Sequence, residues 1–470
     1  MIAKERIKSF NKKKIKKRDY VLYWVQAAQR ADNNQALEYA INKANKLGQP
    51  LLALFVINDN FPEGNLRHYH FMLEGLLELK EKLAKKDIKL IITRGNTPKA
   101  VSVFSRKASL VVVDGGYLRI TRRWRNQVAE RIDCPLLQVE TNLVVPVETA
   151  SNKEEYAAYT LRPKINDKKN HFIKDIKKHK LKHKLPEKTV FNSPAADGSI
   201  EILTLKNKGD INNILKNLSI DDTVKAVKKF RGGQEAAHKL LQQFMEKKLD
   251  KYHKKSNDPV ADCTSYLSPY LHFGHISPVY IANSIGKTES TGKEEFLEQL
   301  IVRRELSFNF IYYNPDYDQS LKSILPEWAY NTLTEHSSDS REYIYSKEEF
   351  EKGNTHDKYW NAAQREMKLT AYMHGYMRMY WGKKILEWSE TPRQAVNTTR
   401  YLNNKYNLDG RGANAHAGIA WCFGKHDRAW AERDIYGKVR YMSTGGLERK
   451  FDIDKYVQKI NNLEEENELI

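Results

Sequence analysis

LLALFVINDNFPEGNLRHYHFMLEGLLELKEKLAKKDIKLIITRG, residues 51–95, contains a whole strand–helix–strand unit. LLALFVIND (51–59) and KLIITRG (89–95) are apolar, β-branched runs of strand length. Between them, FMLEGLLELKEKLAKK sets Met72, Leu76, Leu79 and Leu83 on one stripe, the packing face of a crossover helix. Two strands joined through a covering helix run parallel, so the unit predicts a parallel sheet with helices on its faces.

The pattern continues on both sides. YVLYWVQ (20–26) precedes it, and SLVVVDG (109–115) and PLLQVE (135–140) follow, with helical patterns in the gaps. We expect an α/β domain over residues 18–145, built on a doubly wound parallel sheet whose strand ends open on a crevice for a planar ligand or nucleotide. Neither GxGxxG nor GxxxxGK[ST] occurs, so no glycine loop supports dinucleotide or triphosphate binding. A pigment site and a plain scaffold are the competing readings of this domain.

Residues 146–200 read as a basic, Pro- and Asn-bearing connection with some helix in it. From 201 to 462 the strand pattern gives way to helical periodicity in TVKAVKKF, AHKLLQQFMEKKLDKY, EEFLEQLIVRRELSFNF and WNAAQREMKLTAYMHGYMRMYWGKKILEW (360–388). An all-helical domain of this size can hold a ligand between its helices. Trp381 and Trp388 are about 700° apart around a helix and share a face, whereas Trp360 reaches them only across neighbouring helices. Indoles in near contact can pass an electron to a buried acceptor; aromatics filling a large core are the alternative.

A chain of 470 residues exceeds the size at which single cores stop growing, which implies two domains. Lys and Arg total 79 against 59 Asp and Glu, and the net charge of +20 favours a polyanionic partner. Lysine runs such as residues 8–18 and 173–185 are more often solvated linkers than binding sites. Cys134, Cys263 and Cys422 form neither a metal-ligand spacing nor a disulfide framework, and no apolar run is long enough to span a bilayer, so a cytoplasmic protein without membrane partners is expected. His416 and His426, ten residues apart, fit no helical pair, and no metal is expected. No G-x-S-x-G context points to hydrolysis.

Two polar constellations remain. Thr264, Ser265 and Ser268 place hydroxyls beside a helix start flanked by Ser-Pro steps, which suits a phosphate as well as an ordinary cap. Asp409 could take two hydrogen bonds from Arg378 in a fork geometry, giving a polar edge for a cofactor, or the two could form a surface ion pair or not meet.

TSYLSPYLHFG (264–274), the 360–388 segment and DGRGANAHAGIAWCFGKHDRAWAE (409–432) together resemble the class II cyclobutane pyrimidine dimer DNA photolyases, over about residues 18–460. The resemblance implies an N-terminal antenna domain, whose pigment would be of the deazaflavin or pterin type, and a helical domain holding FAD in a bent form. It implies light-driven donation of an electron from fully reduced FAD to a dimer in DNA, by a monomer that would be nucleoid-associated in a prokaryote. Arg378 and Asp409 then lie beside the flavin ring, with Asn403 near its N5 and Asn414 the rival for that place. Tyr252, Thr264, Ser265, Leu267 and Ser268 grip the cofactor phosphates. Trp381, Trp360 and Trp388, in that order outward, form the photoreduction chain. Trp421 and Met379 stand against the flipped dimer, and Glu305 is a polar contact to it. One position departs: Ser256 stands where the family commonly has arginine, which bears on lesion affinity rather than reaction type. The alternative is a cryptochrome-like flavoprotein photoreceptor without repair, although the chain ends soon after the helical pattern at 451–466, leaving little room for a regulatory tail.

Overall fold

The computed structural model describes residues 2–186, 189, 191 and 198–468. Its N-terminal half is a seven-stranded sheet. In chain order the elements are β1 (Ile7–Ser9), β2 (Tyr20–Val25), α1 (Gln35–Leu47), β3 (Leu51–Ile57), α2 (Leu66–Ala84), β4 (Lys89–Gly95), α3 (Thr97–Ser105), β5 (Ala108–Asp114), α4 (Arg119–Arg131), β6 (Leu136–Val139) and β7 (Ile200–Ile202). The spatial order is β1-β6-β5-β2-β3-β4-β7. Strands β2 to β6 are parallel, with the topological switch between β2 and β5. Tyr23 and Val25 of β2 face the layer of α1 and α2, while Leu22 and Trp24 face α3 and α4. Both faces are buried, which is why these strands read as continuous apolar runs.

The expectation of a purely parallel sheet is corrected at both edges. β1 pairs antiparallel with β6, and β7 antiparallel with β4. These three-residue strands cover the open edges of the parallel core, a common way of blunting them. They also lie outside residues 18–145, and the helix Lys208–Asn217 buries Ile211 and Ile214 in the same core as α2. The connection read at 146–200 falls partly on residues outside those described; its helix Ala158–Phe172 buries Leu161, Ile165 and Phe172 among residues of the helical half. α2 begins five residues earlier than the stripe suggested, and Leu73 rather than Met72 is the fully buried member.

TVKAVKKF is not a helix. Residues 221–231 run as a strap along α2: Leu66 N donates to the Asp221 carbonyl, and Arg67 Nε to that of Lys225 (2.9 Å). Two valines in eight residues disfavour a helix nucleus, and the tertiary acceptors replace the helical ones. Elsewhere the helical readings hold with breaks. AHKLLQQFMEKKLDKY divides at Lys248 between Gln234–Lys247 and Leu249–Lys255. EEFLEQLIVRRELSFNF contains a π-helical stretch, Glu298–Arg303, before the helix Arg304–Tyr313.

Four helices build the centre of the second half: Lys358–Thr370, Gly375–Trp388, Pro392–Tyr406 and Ala413–Cys422, called here the Trp360, Trp381, Asn403 and Trp421 helices. The first starts at Asp357, whose carboxylate accepts from the amides of Tyr359 and Trp360 (both 2.9 Å). The Trp381 and Trp421 helices approach so closely at Gly382 that a Cβ there would lie 2.6 Å from the Cys422 sulfur.

Candidate functional site

Trp360 and Trp381 stack with ring centroids 6.1 Å apart and planes 10° from parallel. Trp388 meets Trp360 edge-on at 6.2 Å. All three are buried. Trp360 Nε1 donates to the Trp381 carbonyl and Trp381 Nε1 to Gln364 Oε1 (both 3.0 Å), so each ring is fixed by its only polar atom. Beyond Trp388 lie His356 and Tyr345, at 4.9 and 5.8 Å.

Three residues before Trp381, Arg378 turns toward Asp409. Its Nη2 reaches both carboxylate oxygens, at 3.2 and 3.5 Å. This is one nitrogen shared by two oxygens, not the two-nitrogen fork expected, and Nε is left buried and unpaired. Asn403 is buried within an amide cluster, its Nδ2 donating to Asn404 Oδ1 (3.1 Å) and its Oδ1 accepting from Asn407 Nδ2 (2.9 Å).

Asp409, Asn414 and Ser268 line a cavity of about 200 Å³ that runs from this corner to the C-terminal ends of β2 and β5. On the sheet side its wall includes Trp24, Phe61, Gly116 and Trp124. Asp114, at the end of β5, closes the switch point by accepting from the amides of Gln26 (3.0 Å) and Ala27 (2.5 Å). The cavity also takes in His272, Arg304 and Arg411, which the sequence reading passed over. Burial, with Arg411 nearby, pushes the His272 imidazole down to about 3, so it is neutral near pH 7. Burial lowers Arg411 to about 10, which leaves it charged.

Several buried polar atoms facing this region have no protein partner: Ser268 Oγ, Nε of Arg378, Nη1 of Arg304, and Nε and Nη2 of Arg411. Orphaned donors of this kind call for an acceptor, and a set dominated by guanidinium nitrogens suits an anionic ligand. FAD, with a pyrophosphate and a polar ring edge, fits that donor set.

The other expected cofactor contacts are more dispersed. Thr264 Oγ1 accepts from the Tyr372 hydroxyl (3.2 Å), and Ser265 Oγ from the Leu267 amide (3.4 Å); the Leu267 side chain is buried in the core. Tyr252 packs its ring against Phe244 and Phe296, at 5.6 and 5.4 Å. Ser256 closes the helix Leu249–Lys255.

Met379 lies against Cys422, Sδ to Sγ 3.9 Å, which brings the Trp381 and Trp421 helices together. Trp421 itself is half-buried, with the Arg303 guanidinium over its ring at 5.5 Å. Arg303 comes from the π-helical stretch, whose extra residue per turn re-aims side chains and often marks a functional site. The Glu305 carboxyl accepts from the amides of Val144 (2.5 Å) and Val145 (3.2 Å), which clamps the chain leaving the sheet to the helix two residues past Arg303. His416 packs edge-on to Tyr317, while His426 Nδ1 meets the Tyr156 carbonyl; the two do not form one site.

A family model described as DNA photolyase matches residues 21–186. The deoxyribodipyrimidine photo-lyase of Methanothermobacter thermautotrophicus is 46% identical over 467 residues, covering 99% of this chain and 100% of that protein. This chain belongs to the deoxyribodipyrimidine photo-lyase family. It is thereby a member of the photolyase/cryptochrome superfamily of light-dependent flavoproteins. The photo-lyase of Arabidopsis thaliana is 37% identical over 94% of this chain and 89% of its own length. An archaeal photolyase from Sulfolobus tokodaii, solved with two FAD molecules, shares the fold with a TM-score of 0.68 at 18% identity, over 93% of this chain and 89% of that one. With the photo-lyase relationship in place, the α/β half and the helical half are the two parts of one family fold. Among the described residues no helix is long and apolar enough to cross a membrane.

Proposed function

We propose that the protein is a class II-type DNA photolyase that uses light and reduced FAD to split cyclobutane pyrimidine dimers in DNA. The observation that carries the reading is the stacked pair Trp381–Trp360, continued by Trp388, on the same helix as the Arg378–Asp409 contact. Ser268, Arg378, Asp409, Arg411 and Asn414 would hold FAD, with Asn403 at the ring edge, where its amide can turn donor or acceptor. When bound, FAD supplies the light-driven electron that opens the cyclobutane ring and recovers it afterwards, so the reaction has no net redox change.

The chain's own residues do the rest. The indoles offer a route for electrons toward the cofactor corner, because their buried rings are held at contact distance. Trp421 and Met379 give an aromatic face and a deformable thioether to a flipped pyrimidine dimer. Arg303 sets a cation over Trp421 where a phosphate can approach. The basic charge draws in DNA, and the sheet crevice at Asp114 is where an antenna pigment would sit.

Anaerobic illumination with blue light of the protein, its flavin chemically reduced, should restore thymines from dimer-containing DNA, and a dark sample should not. Release of the bound pigment by denaturation should give about one FAD per chain. Illuminated samples that leave the dimers intact while showing normal flavin photochemistry would turn the reading toward a photoreceptor.

A further inference from the structure

Six large apolar or aromatic side chains are exposed among the described residues. Three of them, Tyr156, Tyr159 and Trp430, stand at one place. Tyr156 and Tyr159 meet at 6.5 Å, the Tyr156 hydroxyl donates to the Asp427 carbonyl (3.1 Å), and Trp430 Nε1 reaches Asp427 Oδ1 (3.5 Å). The Tyr156 hydroxyl also accepts from Trp328 Nε1 (2.9 Å), and its main-chain carbonyl meets His426 Nδ1 (2.8 Å). Its hydroxyl and carbonyl are committed inward, while the residue is 44% exposed. Tyr159 opens the helix Ala158–Phe172 and is 65% exposed.

This ridge borders the Trp421 site. One turn past Tyr159, Arg162 pairs with Glu298 (2.9 Å), Glu298 also meets Arg303 (3.4 Å), and Arg303 covers the Trp421 ring. On the other side Arg428 and Arg440 lie over Trp430 at 5.4 and 5.5 Å. A tyrosine whose hydroxyl is already used offers its ring face and not a hydrogen bond. Fixed aromatic faces interleaved with arginines suit unstacked bases on a charged backbone.

We propose that Tyr156 and Tyr159, on the segment joining the sheet to the helices, form a base-stacking platform for unpaired bases of the DNA strand at the margin of the Trp421 site. The proposal rests on the DNA-repair reading above. Charge decides the occupant: the ridge is flanked by Arg162, Arg303, Arg428 and Arg440 on a chain of net charge +20, which complements a polyanion. The platform itself is neutral, so its share of affinity differs in kind from that of the arginines.

The test titrates the FAD-loaded protein and its Tyr159→Ala, Tyr159→Phe and Arg428→Ala variants with a dimer-containing duplex that carries 2-aminopurine in the complementary strand opposite the lesion. An undamaged duplex is the reference. Tyr159→Ala should bind the damaged duplex about 5- to 100-fold more weakly, with an unchanged slope of log affinity on log salt and a brighter 2-aminopurine signal in the complex. Tyr159→Phe should restore both, and Arg428→Ala should reduce the salt slope by about one. Wild-type affinity and 2-aminopurine signal in Tyr159→Ala overturn the platform while leaving the repair reading intact. A loss of affinity in Tyr159→Ala that comes with a changed salt slope also overturns it. Altered sedimentation of the free Tyr159→Ala protein with unaltered DNA binding overturns it in favour of a contact between copies. No preference of the wild type for the damaged duplex defeats the repair reading and takes this proposal with it.

Discussion

Trp360 touches both of the other indoles, stacked on one and edge-on to the other, so its loss breaks the series at its middle. Trp360→Phe keeps most of the bulk but removes the easily oxidised ring, and should slow light-driven reduction of oxidised FAD. Repair by protein whose FAD is already reduced should persist. Transient absorption on samples matched for cofactor occupancy checks the first, and anaerobic repair the second; unaltered photoreduction would exclude this ring from the route. At the lesion side, Trp421→Ala should weaken binding of damaged duplex by about 1 to 3 kcal/mol, measured by fluorescence anisotropy, since a half-buried indole face is what the extruded base would meet. The shared face of Trp381 and Trp388 was legible because seven-residue spacing on a helix needs no tertiary knowledge, whereas the place of Trp360 between them depends on how two helices pack. Arg411 and Arg303 were not, because an arginine's meaning lies in whether its guanidinium is buried and partnered, and DGRG or IVRRE reads the same either way. Glu305 shows the same limit: its neighbours in sequence are helical, while its two hydrogen-bond donors come from residues 144 and 145.

At the scale of elements, the Trp381 and Trp421 helices are held apart by little more than a hydrogen atom at Gly382. Gly382→Ala should therefore overpack the contact with Cys422 and cost about 1 to 3 kcal/mol, despite the better helix propensity of alanine. A thermal melt checks it, and a raised melting temperature would show that the helices can part freely. Five strands and the longer striped helices were readable, because doubly buried strands are continuous apolar runs and long amphipathic helices repeat a stripe, whereas the Asn403 and Trp421 helices were not picked out. The other failures were short or tertiary. β1 and β7 are three residues each, with polar members, and carry no period to detect. TVKAVKKF has a helical-looking spacing of valines, but its backbone finds partners in Arg67 and α2 instead of in itself.

Across the whole molecule, Glu140 and Glu305 are both buried and both act electrostatically on the buried Arg6 guanidinium, where the sheet hands over to the helices. Burial pushes Glu305 up to about 8 and Glu140 up to about 7, from an ordinary 4.5. The folded chain thus keeps protons that the unfolded chain releases near 4.5. Stability from these groups is fully present below that pH and is lost as pH rises through about 7 to 8. Comparison with a variant isolates Glu305: Glu305→Gln, which leaves only one acceptor for two amides, should be about 1 to 3 kcal/mol less stable than the wild type at pH 5, and the gap should narrow toward pH 8 as the wild type gives up its retained proton. Melting curves of both proteins across this range check it, and a gap that stays constant or widens would contradict a buried, protonated Glu305.

The strap along α2 depends on Arg67, whose guanidinium donates to the carbonyls of Lys225 (2.9 Å), Lys368 (2.7 Å) and Tyr406 (2.7 Å). The carbonyls of Lys368 and Tyr406 lie in the last turns of the Trp360 and Asn403 helices, so a side chain from the sheet half ties off the two helices that frame the cofactor corner. Severed between the halves, each fragment would carry half of a buried lattice: a desolvated cation on one side, bare carbonyls on the other. The gene therefore does not encode two interchangeable cassettes. Swapping in the sheet half of a distant relative would succeed only if the graft also brought an arginine to this spot, and a chimera lacking it should lose its flavin before it loses its sheet.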